Sequence, residues 1–515
     1  MVDIVNTAEL RPGQLDVSRN LWVYNGLDCC LTAEVFEMIR PQLLDDSAAR
    51  LAYNFEMATR APAMEMATRG ILVDHIEQRT KIDDYQVQED RLKWISNQYI
   101  EGPLGWSKDK SGWRLNPNSP AKLQFFFYDV LGLPYQHTFT QGKRKITTND
   151  DAMKQFLKYP EAAPHAAIVI ADRQIRKKIS TLKSGVDDDM RMRFSYNVAA
   201  TETLRWSSSK NVFGRGTNSQ NITNELRRIF VADEGKKFGY LDLSSAESYI
   251  VGLMAFIVAG DSAYLDACSS GDIHTYVAKM VWPDMPWTGV LAEDKQLAEN
   301  TKIYRHFSAR DLAKVLGHGT NYMGTPRTMA KHAMVETAVI QEFQDRYFLA
   351  FPGIRAWHAW TAEQIQLYNV LTTPMGIRRR FFGHRDDKAT LREAVAFIPQ
   401  STVATILNLG MWRIWKHAPH LCQLMSQLHD AVLVQYDTPR EKGILPQLLK
   451  LMEVPVKIKG RTLTIPIDAK VGWNWEETKK PEALVRNPDG LIGWKDFDPR
   501  QRVIPAKRSF MDLRL

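Results

Sequence analysis

Two apolar runs that read as strands lie far apart in this 515-residue chain, and each carries an aspartate where its apolar stretch gives out. The first is Phe238-Gly239-Tyr240-Leu241-Asp242-Leu243. The second is Leu424 to Tyr436, whose His429-Asp430 splits two apolar halves as a hairpin turn would. Helical patterns fill the interval between them. A fold for this chain either brings the two acids together or leaves each as an ordinary end-of-strand residue. Taken alone, Asp242 is a helix cap as readily as a metal ligand, and a single Asp430 in a turn favours the turn reading.

At roughly 150 residues per domain the length predicts about three domains or one multi-lobed enzyme. With 44% hydrophobic and 24% charged residues the chain is globular, neither disordered nor collagenous. Lys and Arg total 67 against 59 Asp and Glu, a net charge of +8 that leans towards a polyanionic partner without establishing one. Cys29, Cys30, Cys268 and Cys422 form no CxxC pair, which predicts free thiols in a reducing compartment and no zinc site. Tyr249 to Ala259 is the longest apolar stretch, well short of the roughly 20 residues of a membrane span. The opening MVDIVNTAEL lacks the order of a signal peptide, so the sequence predicts a cytoplasmic protein with no membrane contact.

A leader, residues 1–45, holds one helical stretch around Tyr24 to Ile39. From Ile76 to Ile100 the residues Ile82, Tyr85, Leu92, Ile95 and Tyr99 recur at helical spacing, predicting a long amphipathic helix that serves as a protruding arm. The clusters Lys143-Arg144-Lys145 and Arg173 to Lys178 read more readily as solvated faces than as phosphate clamps. The polar, basic tail from Lys479 to Leu515 reads as a surface appendage.

Ala309 to Gly324 is more specific. Arg310, Lys314, His318 and Tyr322 are spaced by four, so on a helix each step falls about 40° past a full turn and all four share a broad face. Two cations one turn apart can hold a triphosphate, and a flat ring further along can cover a base or sugar. A basic exposed face with Tyr322 packed inside fits the spacing equally well.

Taken together, the segments resemble the family A DNA polymerases, from about Leu21 to Glu476. YLDLSSAE, with Asp242 and Glu247, resembles the family's motif A; Arg310, Lys314 and Tyr322 resemble motif B; His429 and Asp430 in QLHDAVLVQYD resemble motif C. Ser195-Tyr196, Thr201 to Ser208, Gln220-Asn221-Ile222, Gly271-Asp272-Ile273-His274 and Tyr347-Phe348 with Phe351-Pro352-Gly353 add ordered matches. Glu56-Met57, Pro62, Met66, Gly70 to Asp74, Val471-Gly472 and Asn474-Trp475 add more.

The resemblance implies an α+β, mixed α/β right-hand fold with thumb, palm and fingers. Its boundaries would be 46–185 for palm entry and thumb, 186–266 for the first palm part, 267–380 for the fingers and 381–478 for the second palm part. Residues 1–45 and 479–515 flank them. It implies template-directed addition of deoxynucleotides to a primer 3′ end. Asp242 and Asp430 would hold two Mg²⁺ ions, Mn²⁺ being an alternative, and Lys314 would assist catalysis. Arg310, Lys314, His318, Tyr322 and His274 would bind the dNTP, and Glu247 would exclude a ribose hydroxyl. Arg205, Gln400, His429 and the thumb lysines Lys177, Lys178 and Lys183 would contact primer-template DNA.

Some positions depart from the family pattern. His318 stands where the family has Phe or Tyr. Met323 separates Tyr322 from Gly324 where a Tyr-Gly pair is usual, Ala431 replaces a Glu, and Leu204 stands where a Gly precedes Arg205. Tyr24 and Asp28 in YNGLDCCLT resemble the last of three proofreading exonuclease motifs, and the earlier two are absent from the sequence. The expectation is a phage-type polymerase without proofreading of its own. Its first 45 residues would be a relic, or the completing piece of an exonuclease carried on a separate subunit; a processivity factor is a further candidate partner. The rival readings are a single-subunit RNA polymerase, which Glu247 opposes, and an inert primer-template-binding subunit, which the joint presence of Asp242, Lys314 and Asp430 opposes.

Overall fold

The computed structural model describes residues 17–104, 106–140, 143–304, 307–478 and 481–494. At its centre lies a five-stranded sheet in the order Gln423–Gln427, Ala431–Asp437, Lys236–Leu243, Ile467–Gly472 and Ile492–Gly493, every neighbour antiparallel. Both predicted strands are present, and His429-Asp430 lies in the connection between two of them. The middle strand alternates as a doubly covered strand should. Phe238 and Tyr240 face one core with Leu433, Met425 and Trp475. Leu241 and Leu243 face the other, with Val432, Val434 and Tyr436.

Behind the second face run the helices Ala246–Ala259 and Lys388–His417. The latter is long and apolar enough to cross a membrane, but 83% of its most apolar stretch is buried against the rest of the chain, so it is the core helix of this body. Ala246–Ala259 packs so closely on its neighbour that a Cβ on Gly252 would lie 2.8 Å from the backbone of Leu265. No side chain other than hydrogen fits there.

The amphipathic pattern around Ile76 to Ile100 is part of a helix spanning His75–Leu104, which packs along Ala163–Leu182. A separate small core gathers near the far ends of this pair, built on Phe126, Phe127, Phe156, Leu123 and Met153. The arm predicted from periodicity therefore carries its own apolar nucleus. The stretch around Tyr24 to Ile39 lies within the helix Val17–Asp45, much of it exposed.

Two expectations need correction. Much of the basic run Arg173 to Lys178 is neither solvated nor free for phosphate. Arg173 donates to the carbonyls of Thr148 and Pro117 and to Asp150. Arg176 pairs with Asp172 and Glu89, and Lys178 pairs with Glu225 at 2.8 Å over the Tyr85 ring. The run sits on a helix wedged between acidic neighbours, and sequence spacing does not reveal those. Lys177 and Lys183 stay exposed, as do Lys143, Arg144 and Lys145.

The tail from Lys479 is also not wholly an appendage. Ile492–Gly493 pairs with Lys470 and Val471 at the sheet edge, and Leu491 is buried. A two-residue strand is too short to show a period. Residues 495–515 lie outside the described residues.

Candidate functional site

The sheet register brings the two aspartates together. Asp242, near the end of its strand, lies opposite Ala431, so Asp430 is one residue from direct registry, and Leu243 N donates to Asp430 O at 2.9 Å. Asp468 faces Asp242 from the other side. Burial first, then Glu477, Asp430 and Asp468, push the Asp242 carboxyl up to about 6 against the opposing charge of Lys470. Burial, with Glu247 adding, likewise raises Asp430, and Arg205 opposes.

A buried polar network underlies the turn. Gln220 donates to Gln427 at 2.9 Å, Gln427 to Asn408 at 3.1 Å, and Tyr196 to Ser426 at 3.0 Å. The segments around Ser195-Tyr196 and Gln220-Asn221 thus brace the strand that leads into Asp430.

After Asp242 the chain turns through Ser245, at a left-handed φ of 50°, into the helix whose first turn bears Glu247. Leu204 and Met323 also hold positive φ, 59° and 58°. Both hold the left-handed conformation that glycine adopts most easily, at a cost of roughly 1–2 kcal/mol each. Strain of this kind gathers at sites whose backbone path is dictated by function.

The helix Ala309–Asn321 is capped by Ser308, which accepts from Asp311 N at 3.1 Å. Leu312, Ala313, Leu316 and Gly317 are buried, while Lys314 and His318 are exposed. The expected face therefore exists, but its members have different neighbours. Tyr322 ends the helix and donates its hydroxyl to Glu247. The Glu247 carboxylate also receives Arg205, and His318 Nε2 lies 4.0 Å from it. His318 and Tyr322 meet edge to face at 4.9 Å.

Arg310 is held by Asp272 through two hydrogen bonds, 2.7 and 3.0 Å. His274, on the helix that Asp272 caps, is held down to about 4 by burial foremost and by the charges of Arg310, Lys314 and His318, with Asp272 opposing. It is a neutral imidazole at neutral pH.

Arg205 sits closer to the acids than its expected role at the duplex suggests, with Nη2 4.0 Å from Asp430 Oδ1. His429 is exposed in the turn before Asp430. Gln400 is half-buried on Lys388–His417 and joins none of these bonds. Lys178 is away from this cluster, consumed by Glu225.

Sequence reasoning missed Lys470, whose Nζ lies 3.7 Å from Asp242 and 2.8 Å from Glu477. An alternating Asp468-Ala469-Lys470 in a strand reads simply as a wet edge.

Among the described residues no set of three or more His, Cys, Asp or Glu side chains gathers into a ready metal cage. The pair nevertheless fits a hard divalent cation, which accepts few carboxylates and shares the remaining positions with phosphate and water. Asp430 Oδ1 is buried and accepts no hydrogen bond, with Arg205 standing off at 4.0 Å, so an acceptor position is left open that a cation can take.

Residues 107–477 match the model of DNA polymerase family A. The chain is 27% identical over 382 residues to the thermostable DNA polymerase I of Thermus aquaticus, covering 70% of this chain and 42% of that protein. It is 23% identical over 488 residues to the DNA polymerase I of Aquifex aeolicus, covering 92% and 74%. The chain thus spans less than half the length of the Thermus relative. The POL domain of Pol1 from M. smegmatis, solved in complex with DNA primer-template and dNTP, superposes with a TM-score of 0.72 at 20% identity over 87% of this chain and 75% of that one. With more than half its length matched by the family model, and a mixed helix-and-strand fold like that polymerase domain, this chain belongs to DNA polymerase family A.

Proposed function

We propose that the chain is a template-directed DNA polymerase that adds deoxynucleotides to a primer 3′ end. The observation that carries the reading is the meeting of Asp242 and Asp430 at one end of the central sheet. Near it lies a helix bearing Arg310 and the exposed Lys314, with Tyr322 bonded to Glu247. In the reaction the primer 3′-hydroxyl gives up its proton to solvent, its oxygen bonds to the α-phosphorus, the α–β bridging bond breaks, and pyrophosphate leaves with the electron pair.

Asp242 and Asp430 would hold divalent ions, Mg²⁺ or Mn²⁺, which when bound supply charge neutralisation at the attacking and leaving oxygens. Lys314, exposed one turn beyond Arg310, neutralises the triphosphate and is placed to donate a proton to the leaving group. Neutral His274 offers a hydrogen bond where an imidazolium would crowd Arg310 and Lys314. Glu247, fixed by Tyr322 and Arg205, forms a wall beside the sugar C2′. A ribose hydroxyl there clashes or goes unpaired.

On this reading the palm comprises 186–266 and 381–478, the fingers 267–380, and the thumb lies within 46–185. Primer-template DNA is gripped through exposed cations such as Lys177, Lys183 and Lys143 to Lys145, while Arg205, His429 and Gln400 lie towards the primer end. On the same reading the chain is of phage type and does not proofread by itself; Tyr24 and Asp28, in its one exonuclease-like motif, stand exposed on a single helix. A separate exonuclease subunit or a processivity factor would then be a partner.

Primer extension with dNTPs and NTPs tests the reading. The wild-type chain extends with dNTPs in Mg²⁺ and leaves a primer undegraded without them, and Asp242→Asn and Asp430→Asn each lose at least about 10²–10³-fold in kcat. Extension by either variant at the wild-type rate refutes the assignment.

A further inference from the structure

The first cation of the Arg310–Tyr322 row is committed before any substrate arrives. Arg310 gives Nε to Asp272 Oδ2 at 2.7 Å and Nη2 to Oδ1 at 3.0 Å. The same carboxylate caps the helix Ile273–Val281, accepting from His274 N at 3.3 Å and from Thr275 Oγ1 at 2.8 Å. Four donors fill about as many lone-pair positions as a carboxylate owns. The Asp272 side chain is only 9% exposed, so water competes little for it. One buried acid therefore ties together the starts of two helices, and with them Arg310 and His274.

Two effects of opposite sign follow. A carboxylate beside Arg310 reduces the positive charge a phosphate meets, but it also removes the rotamer freedom that a long cation gives up on binding. The geometry decides between them. Asp272 takes the Nε–Nη2 edge of the guanidinium and leaves Nη1, which is 3.6 Å from the largely exposed Glu299. Lys314, one turn on, is exposed and supplies the less committed charge.

We infer that Asp272 is a positioning residue for the nucleotide triphosphate, holding Arg310 in a fixed fork so that its Nη1 side, which meets the solvent-facing Glu299, and the His274 imidazole face the phosphates as one unit. The inference rests on the polymerase reading of the site.

Asn and Ser cap helices as well as Asp does, so Asp272→Asn and Asp272→Ser keep the helix start and remove the charge together with the two-oxygen grip on Arg310. Single-nucleotide primer extension with the full chain is the measurement. Each variant is expected to raise the KM for dNTP about tenfold, the scale on which outer partners of a ligating side chain act, with kcat within about threefold and primer-template affinity unchanged. In an Arg310→Ala background the same substitutions should add nothing to KM. An unchanged or lowered KM, or an equal rise without Arg310, overturns the inference. So does a fall in kcat and DNA affinity together with the melting temperature, which is the signature of a merely structural acid. A wild-type chain that does not extend primers overturns the polymerase reading instead.

Discussion

Asp242 is an acid largely removed from water among other acids, with Lys470 as its counter-ion. Its carboxyl is raised to about 6, above the roughly 3.9 of an unfolded chain. The folded state therefore binds the proton more tightly, and stability falls as pH rises from about 4 through about 6. Without divalent ions, Asp242→Asn should melt higher than wild type at pH 8 by about 1–2 kcal/mol, discounted for the solvent that reaches the side chain. The gain should shrink towards pH 4, and denaturant unfolding in chelator reads it; equal stability at pH 8 contradicts the cause assigned here. At Glu247 the expectation concerns selectivity. Glu247→Ala should lower discrimination against ribonucleotides about 10–100-fold, and Tyr322→Phe, which leaves Arg205 on the acid, should lower it less; parallel kcat/KM values for dNTP and NTP decide.

At the scale of elements, a helix and a turn show how packing overrides local preference. Ala246–Ala259 can approach Leu265 only because residue 252 has no Cβ. Gly252→Ala should cost about 1–3 kcal/mol through overpacking, despite the better helix propensity of alanine, and calorimetry should show a lower Tm. Leu204 and Met323 present the complementary case, in which the turn survives a side chain that disfavours it. The helix Ala309–Asn321 was legible because its apolar and cationic residues repeat at fixed spacing. The partners of those cations were not, since Asp272 and Glu247 come from other segments whose approach no spacing records.

At the scale of the molecule, three apolar cores among the described residues hold the central sheet, its helical backing and the end of the long arm. Surface charge is distributed over them unevenly. Replacing Lys143, Arg144 and Lys145 by Ala should reduce the salt slope of primer-template binding by up to about 3. Lys178→Met should leave that slope unchanged, because its charge is already spent on Glu225; fluorescence anisotropy over a salt series separates the two. Sequence by itself determined the strands that end in acids, the long helices and the ordered residue types of the site, because periodicity and spacing are local records of which face is buried. Only the tertiary structure decided that Asp430 lies beside Asp242, that Lys470 stands between Asp242 and Glu477, that the run from Arg173 is largely neutralised and that Ile492–Gly493 completes the sheet. Each of those depends on segments remote in the chain meeting at a few ångströms, where charge and hydrogen bonding act and where no local pattern reaches.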